Sequence, residues 1–127
     1  MEKRTLELLE QLANKIPKFK GPVHILAVCT GGVALAKLIT KHLRKKGVDA
    51  KYFEIWTNII DGVRTIERTN FKKSDYVGVA IIVDDVIWAG TVLPPIKKML
   101  KKYHPKKRIY VASLLDCCHK ADFAVFR

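Results

Sequence analysis

The chain has 127 residues, of which 49% are hydrophobic and 28% are charged, and its formal net charge is +12. This length and composition predict one globular domain over residues 1–127, with no apolar run long enough to span a bilayer. The three cysteines lack the spacing of a disulfide framework, and the N-terminal segment is amphipathic rather than signal-like. We therefore expect reduced thiols and a cytoplasmic location.

The excess of positive charge has two interpretations. A strongly basic protein attracts polyanions such as RNA or DNA. However, the outer face of one predicted amphipathic helix carries many of these cations, which favours simple solvation. Abundant lysine and glutamate with few asparagines and glutamines is also typical of hyperthermophile proteins. Nucleic-acid binding is therefore the less favoured interpretation. Much of the charge lies at Lys97, Lys98, Lys101, Lys102, Lys106, Lys107 and Arg108, and the first four belong to the solvated helix face.

Hydrophobic periodicity predicts alternating helices and strands along the chain. A helix over residues 6–16 precedes a strand over 23–28, which leads through a Gly-Gly loop into a second helix over 33–46. A second strand covers 51–56. Residues 57–75 have no clean period and are predicted to form a long irregular loop.

The second half of the chain continues the same alternation. Strands are predicted over residues 77–83, 108–115 and 123–126, with a helix over 91–103. Strands that alternate with helices are typical of an α/β fold. We therefore predict a doubly wound, mostly parallel sheet flanked by helices.

Residues 80–92 carry the strongest functional signal. An apolar strand ends in Asp84 and Asp85, and a turn of small residues over 89–91 follows. Ligands of parallel sheets bind beyond the carboxyl ends of the strands. Two adjacent carboxylates repel each other, but they can hold a ribose diol or, through water, Mg²⁺. Because the turn can present backbone N–H groups to a phosphate, the combination predicts a sugar phosphate site.

The sequence Val-Asp-Asp-Val-Ile-Trp-Ala-Gly-Thr over residues 83–91 resembles the phosphoribosyl pyrophosphate-binding motif of type I phosphoribosyltransferases, particularly the form in orotate phosphoribosyltransferases. The resemblance implies transfer of ribose 5-phosphate to a nucleobase, as in purine salvage, with Mg²⁺ as cofactor. Asp84 and Asp85 would hold the ribose hydroxyls, oppose the oxocarbenium charge and bind Mg²⁺ through water. The ribose phosphate would be bound by Ala89, Gly90, Thr91 and Val92. The alternative is a plain strand-to-helix turn of another Rossmann-like domain.

A second match to this family lies at Thr30, Gly31 and Gly32. Paired glycines let a backbone approach an anion closely, although they also suit tight packing of a helix. By resemblance these residues bind pyrophosphate, in a loop with a cis peptide between Cys29 and Thr30. The irregular segment would close over the reacting centre. Its basic side chains are candidate pyrophosphate ligands or merely solvated, namely Arg64, Arg68, Lys72 and Lys73.

The resemblance is weaker on the side that binds the base. Phe123 corresponds to a ring that stacks on a purine, or else it is a core residue of a short strand. Trp88 and Cys117 replace an Asp and a Lys of the 6-oxopurine enzymes, so we expect Trp88 to line the base site and the base preference to differ. The hood domain that completes the base pocket in these relatives is expected to be minimal or absent.

The expected partners are phosphoribosyl pyrophosphate and a nucleobase or nucleotide, in a homodimer. The alternative function is a noncatalytic nucleotide-binding regulator on the same fold, which uses its basic surface to bind RNA. The intact acidic pair favours an enzyme, whereas the altered base side favours a regulator.

Overall fold

A computed structural model describes residues 3–127 of the chain. The helices in this range are α1 (Lys3–Lys15), α2 (Val33–Lys45) and α3 (Leu93–Tyr103), with a 3₁₀ turn at Lys73–Asp75. The strands are β1 (Val23–Cys29), β2 (Ala50–Ile60), β3 (Val63–Thr69), β4 (Val79–Ile87), β5 (Ile109–Asp116) and β6 (Phe123–Phe126).

The described strands form a single sheet in the order β3-β2-β1-β4-β5-β6. Only β3 is antiparallel to its neighbour, so the predicted doubly wound, mostly parallel sheet is confirmed. The apolar faces of α1 and α2 pack on one side of the sheet, and that of α3 packs on the other. Because both sheet faces are covered, β1 is buried from Val23 to Val28, as its unbroken apolar run predicts.

The prediction of an irregular loop over residues 57–75 is wrong as far as residue 69. β2 continues to Ile60, and the chain turns back as β3 to form a hairpin at the edge of the sheet. Asp61 and Gly62 form its two-residue turn with φ of 51° and 78°, and type I′ turns require such positive values. The Asp-Gly pair is the sequence signal for this hairpin, and the weak alternation of the flanking residues obscured it.

β4 also extends beyond the predicted strand over 77–83. It runs through Asp84 and Asp85 to Ile87, because β5 remains paired with it as far as the Ile87–Asp116 position. The acidic pair therefore lies within a strand rather than in the loop that follows, and the strand backbone fixes its position.

His24 is the largest buried polar group of β1. Its Nε2 atom accepts hydrogen bonds from the backbone N–H groups of Val77 and Gly78, at 3.1 and 3.0 Å. The rings of Phe71 and Tyr76 pack against it. Burial lowers the pKa of His24, and the nearby Asp75 carboxylate only partly opposes this effect. The imidazole is therefore an uncharged hydrogen-bond acceptor that holds the backbone directly before β4 in place.

None of the helices in residues 3–127 is both long enough and apolar enough to cross a membrane.

Candidate functional site

The loop after β1 meets the acidic pair of β4 at the carboxyl edge of the sheet. β1 and β4 are adjacent and parallel, so their carboxyl ends lie side by side. A Cβ atom built on Gly31 would lie 2.6 Å from Oδ1 of Asp85, and one on Gly32 would collide with the carbonyl oxygen of Val83. A side chain at either position would push the loop away from β4. The two sequence motifs therefore form one site only because residues 31 and 32 are glycines.

The peptide bond that precedes this loop, between Cys29 and Thr30, is cis, as the family resemblance implies. The N–H group of Gly32 donates to the carbonyl oxygen of Val28 at 2.8 Å, which closes the loop before α2 begins. Thr30 and Gly31 are exposed beside Asp85.

The electrostatics of the acidic pair are unusual. Asp84 Oδ1 accepts the N–H of Asp85 at 2.9 Å, and Asp85 Oδ1 accepts the N–H of Val86 at 2.8 Å. Burial and the neighbouring Asp85 carboxylate raise the pKa of Asp84 to about 7, although the charge of Arg64 opposes the shift. A carboxyl group in this state is stabilised by a proton, a cation or hydroxyl donors. The pair is therefore poised to accept a ligand that carries one of these groups.

Residues 89–92, here called the phosphate turn, connect β4 to α3. Gly90 has φ of 73°, in the left-handed region that favours glycine. A Cβ atom there would lie 2.9 Å from Cδ of Lys120 and 3.3 Å from Sγ of Cys118. Within residues 3–127, the N–H groups of the phosphate turn donate no hydrogen bond. They are therefore free to bind an anion at the start of α3.

Arg68 lies in β3, at the level of the loop that follows β1. The strand register pairs Cys29 with Trp56 and Trp56 with Arg68, so the three residues form a row across the sheet directly before Thr30. The guanidinium carbon of Arg68 lies 4.5 Å from the centroid of the Trp56 ring. This stacking holds a cation beside the glycine loop.

Arg64 lies in the same hairpin but nearer its turn, and its positive charge acts to lower the pKa of Asp84. Its Nε atom is buried and has no hydrogen-bond partner among the described residues. Lys72 and Lys73 follow β3 where the chain returns to the amino end of β4. These two lysines therefore lie away from the acidic pair, and the hairpin brings only the two arginines towards it.

The two aromatic candidates for base binding differ in their surroundings. The side chain of Trp88 is 71% exposed directly after β4, so it is not a core residue. Phe123 stacks on Tyr110 with ring centroids 5.7 Å apart and packs against the core. These contacts favour the core interpretation of Phe123. Phe126, which is exposed and pairs with Leu115, lies nearer the carboxyl edge.

Asp116, a fully buried carboxylate at the end of β5, is not among the residues predicted from the sequence. Its oxygens accept the N–H groups of Lys120 and Ala121 at 3.1 and 2.8 Å, and the guanidinium of Arg127 at 3.1 Å. Burial raises the pKa of Asp116, but these N–H donors outweigh burial and lower it overall. The carboxylate thus folds the 117–120 loop against the phosphate turn. Its position after an apolar strand, the same signal that marked Asp84, could have identified it.

The chain is similar in structure to solved phosphoribosyltransferases, of which three are described here. A hypoxanthine-guanine phosphoribosyltransferase from Bacillus anthracis matches with a TM-score of 0.79 and 22% identity, over 99% of this chain and 78% of that one. A purine phosphoribosyltransferase from Pyrococcus horikoshii matches with a TM-score of 0.78 and 23% identity, over 100% of this chain and 85% of that one. A xanthine-guanine-hypoxanthine phosphoribosyltransferase from Helicobacter pylori matches with a TM-score of 0.66 and 26% identity, over 98% of this chain and 76% of that one. No protein-family model and no curated protein sequence matches this chain.

Proposed function

We propose that this chain, which has the type I phosphoribosyltransferase fold, transfers ribose 5-phosphate from phosphoribosyl pyrophosphate to a nucleobase and releases pyrophosphate. The observation that carries the proposal is the close approach of the Thr30–Gly32 loop to the acidic pair. Gly31 lies so near Asp85 that a side chain at position 31 would collide with its carboxylate. A loop suited to pyrophosphate and carboxylates suited to ribose are thus adjacent, as a substrate with both groups requires.

In the proposed mechanism, Asp84 and Asp85 accept hydrogen bonds from the ribose hydroxyls. Their negative charge stabilises the positive charge that develops on the sugar ring as pyrophosphate leaves. The free N–H groups of the phosphate turn, Ala89 to Val92, bind the 5-phosphate. Pyrophosphate is bound by the backbone of Thr30, Gly31 and Gly32 and by the side chains of Arg64 and Arg68.

The acidic pair also fits the proposed cofactor. Mg²⁺ prefers oxygen ligands and keeps several waters, so it needs only one or two carboxylates together with the phosphates of its substrate. Within residues 3–127 there is no cluster of three or more side chains of the types that hold metals. Asp84 and Asp85 would therefore hold Mg²⁺ through water, and the ion would neutralise the charge of the departing pyrophosphate.

On the base side we propose that Trp88 stacks on a purine-type base. Its exposed ring follows the acidic pair directly and combines a broad apolar surface with a single N–H donor. Recognition by stacking depends on shape more than on hydrogen bonds, so a broader base preference is expected than in enzymes that bind the oxo group. The β2–β3 hairpin is the element that excludes water from the reacting centre.

One observation favours a regulator as the second candidate. The side chains that replace the Asp and Lys of the 6-oxopurine enzymes, Trp88 and Cys117, are both exposed and offer only weak or single donors. A protein with this base side could bind phosphoribosyl pyrophosphate or a nucleotide without turnover.

Calorimetric titration with phosphoribosyl pyrophosphate and Mg²⁺, followed by pyrophosphate release with a panel of nucleobases, tests the proposal. The double variant Asp84→Asn, Asp85→Asn should lose binding, whereas Glu67→Gln, which removes an exposed carboxylate from β3, should retain it. Binding without turnover on any base would establish the regulator instead. Failure of the unmodified protein to bind phosphoribosyl pyrophosphate would refute both.

We further propose that the protein acts as a homodimer, which light scattering coupled to size-exclusion chromatography measures directly. A monomer at the concentrations used for the titration would refute this part of the proposal.

A further inference from the structure

A second concave surface lies between β3 and α3, beside the candidate site. It is a groove of about 630 Å³, within the range of ligand-binding clefts. Half-buried apolar side chains form its floor, and exposed lysines stand at its rim. We call it the basic groove; the floor includes Ile66, Met99 and Tyr103, and the rim includes Lys73, Lys98 and Lys102.

The positive charge of the basic groove is not compensated. Among the described residues, no carboxylate lines the groove, and the only ion pair in residues 3–127 joins Arg127 to Asp116. Arg64 also lines the groove, and its buried Nε donor has no hydrogen-bond partner in the same range. In a chain with a net charge of +12, such a surface attracts an anionic occupant.

The cations extend beyond the basic groove to the other side of α3. Lys97, Lys101 and Lys120 line a neighbouring groove, and Lys98 borders both. Cations spread over both sides of a helix exceed what one phosphate group can contact. They are suited instead to a chain of phosphates.

The apolar floor distinguishes between two kinds of polyanion. Lys98 and Lys102 are four residues apart on α3, so their side chains lie next to each other above Tyr103 and Met99. An acidic peptide would satisfy the lysines, but it would leave the solvent-facing part of the Tyr103 ring, which packs on its inner side near Phe71, without a stacking partner. A nucleic-acid strand satisfies both, because its phosphates contact cations while its unpaired bases stack on aromatic rings.

We propose that the basic groove binds single-stranded nucleic acid, with phosphates on Lys98 and Lys102 and a base against Tyr103. This function differs from phosphoribosyl transfer, although Arg64 borders both sites. It uses side chains of α3 that do not contact the acidic pair.

Fluorescence anisotropy with labelled oligouridylate and oligothymidylate of about 12 nucleotides tests the proposal. The double variant Lys98→Gln, Lys102→Gln is compared with Lys41→Gln, Lys45→Gln, which removes the same charge from exposed lysines of equal spacing on α2. Each lost phosphate contact lowers the slope of log K against log salt by about 0.7, so the groove variant should lose about 1.4 in slope and bind about 25-fold more weakly near 0.1 M salt. The α2 variant should lose less than about twofold.

Three outcomes would overturn the proposal. Absence of binding by the unmodified protein would exclude it directly, and equal losses in the two variants would show attraction by overall charge only. Equal competition by polyglutamate would assign the groove to an acidic peptide. As an independent measurement, ultraviolet crosslinking of 4-thiouridine RNA should label the segments 64–66 or 99–103, and labelling confined to other segments would contradict the stacking arrangement.

Discussion

Replacing Asp84 by Asn is expected to raise the stability of the protein above neutral pH while abolishing binding of phosphoribosyl pyrophosphate. The carboxyl group is half-buried beside Asp85, and its pKa is raised from 3.8 to about 7. Folding therefore costs free energy whenever Asp84 is ionised. An Asn side chain removes that cost, and its Oδ1 can still accept the N–H of Asp85.

The magnitude follows from the shift in pKa. At about 1.36 kcal/mol per pKa unit, the full shift corresponds to a ceiling of about 4 kcal/mol. The carboxylate is partly solvated, which screens its charge, so we expect a net gain of about 1–2 kcal/mol. For a chain of this length, such a gain raises the melting temperature by about 4–7 °C.

The gain depends on pH in a defined direction. Because folding raises the pKa of Asp84, the folded protein binds more protons than the unfolded chain between pH 3.8 and about 7. The stability that Asp84 contributes is thus present at low pH and is lost as the pH rises through about 7. The advantage of Asp84→Asn should therefore be large near pH 8 and should shrink towards pH 4.

Thermal melts at these two pH values measure the effect, with Glu67→Gln as the control for a lost negative charge. Glu67 is exposed on β3, so its variant should shift the melting temperature by less than about 2 °C at either pH. A lower melting temperature for Asp84→Asn near pH 8, or a gain of equal size at both pH values, would refute the electrostatic argument.

Three further changes test other parts of the structure. Gly31→Ala should weaken pyrophosphate binding by about tenfold or more, because the new Cβ would lie 2.6 Å from Oδ1 of Asp85. Calorimetric titration with pyrophosphate measures the affinity, and an unchanged affinity would show that pyrophosphate binding does not require the close approach of the loop to β4. Trp88→Ala should leave the melting temperature nearly unchanged, since the ring is 71% exposed, while it weakens binding of a nucleotide but not of phosphoribosyl pyrophosphate alone. A large loss of thermal stability would instead identify the ring as part of the core. Because folding lowers the pKa of His24, the unfolded chain binds the proton more tightly, and the contribution of His24 to stability should fall as the pH drops below 6.5. Urea denaturation of His24→Gln should lack this dependence, and an identical pH profile in the variant would contradict it.

The parallel part of the fold could be predicted from the sequence because buried strands have a distinctive pattern. β1 is an unbroken apolar run, since helices cover both faces of the sheet. The hairpin was missed for the opposite reason. Its strands lie at the sheet edge with many exposed residues, so Thr57 to Thr69 show neither a continuous apolar run nor a clean alternation. Only the Asp61-Gly62 pair indicated the turn.

The motifs of the candidate site could be located from the sequence because each depends on local sequence. The acidic pair, the phosphate turn and the glycine loop each follow a strand directly, so strand order alone brings them to one edge. Asp116 could not be assigned its role in this way. Its partners Ala121 and Arg127 are selected by the path of the 117–120 loop and by the end of β6, which no spacing rule specifies.

The Asp116 network has a consequence for redesign of the protein. One buried carboxylate fixes the loop that carries Cys117 on the proposed base side, and the same loop packs Lys120 and Cys118 against Gly90 on the proposed phosphate side. The two halves of the proposed substrate site therefore depend on the same buried carboxylate. Under the proposed function, we expect substitutions in this loop that alter base preference to change the affinity for the ribose phosphate as well, unless the Asp116 acceptor and its backbone donors are preserved.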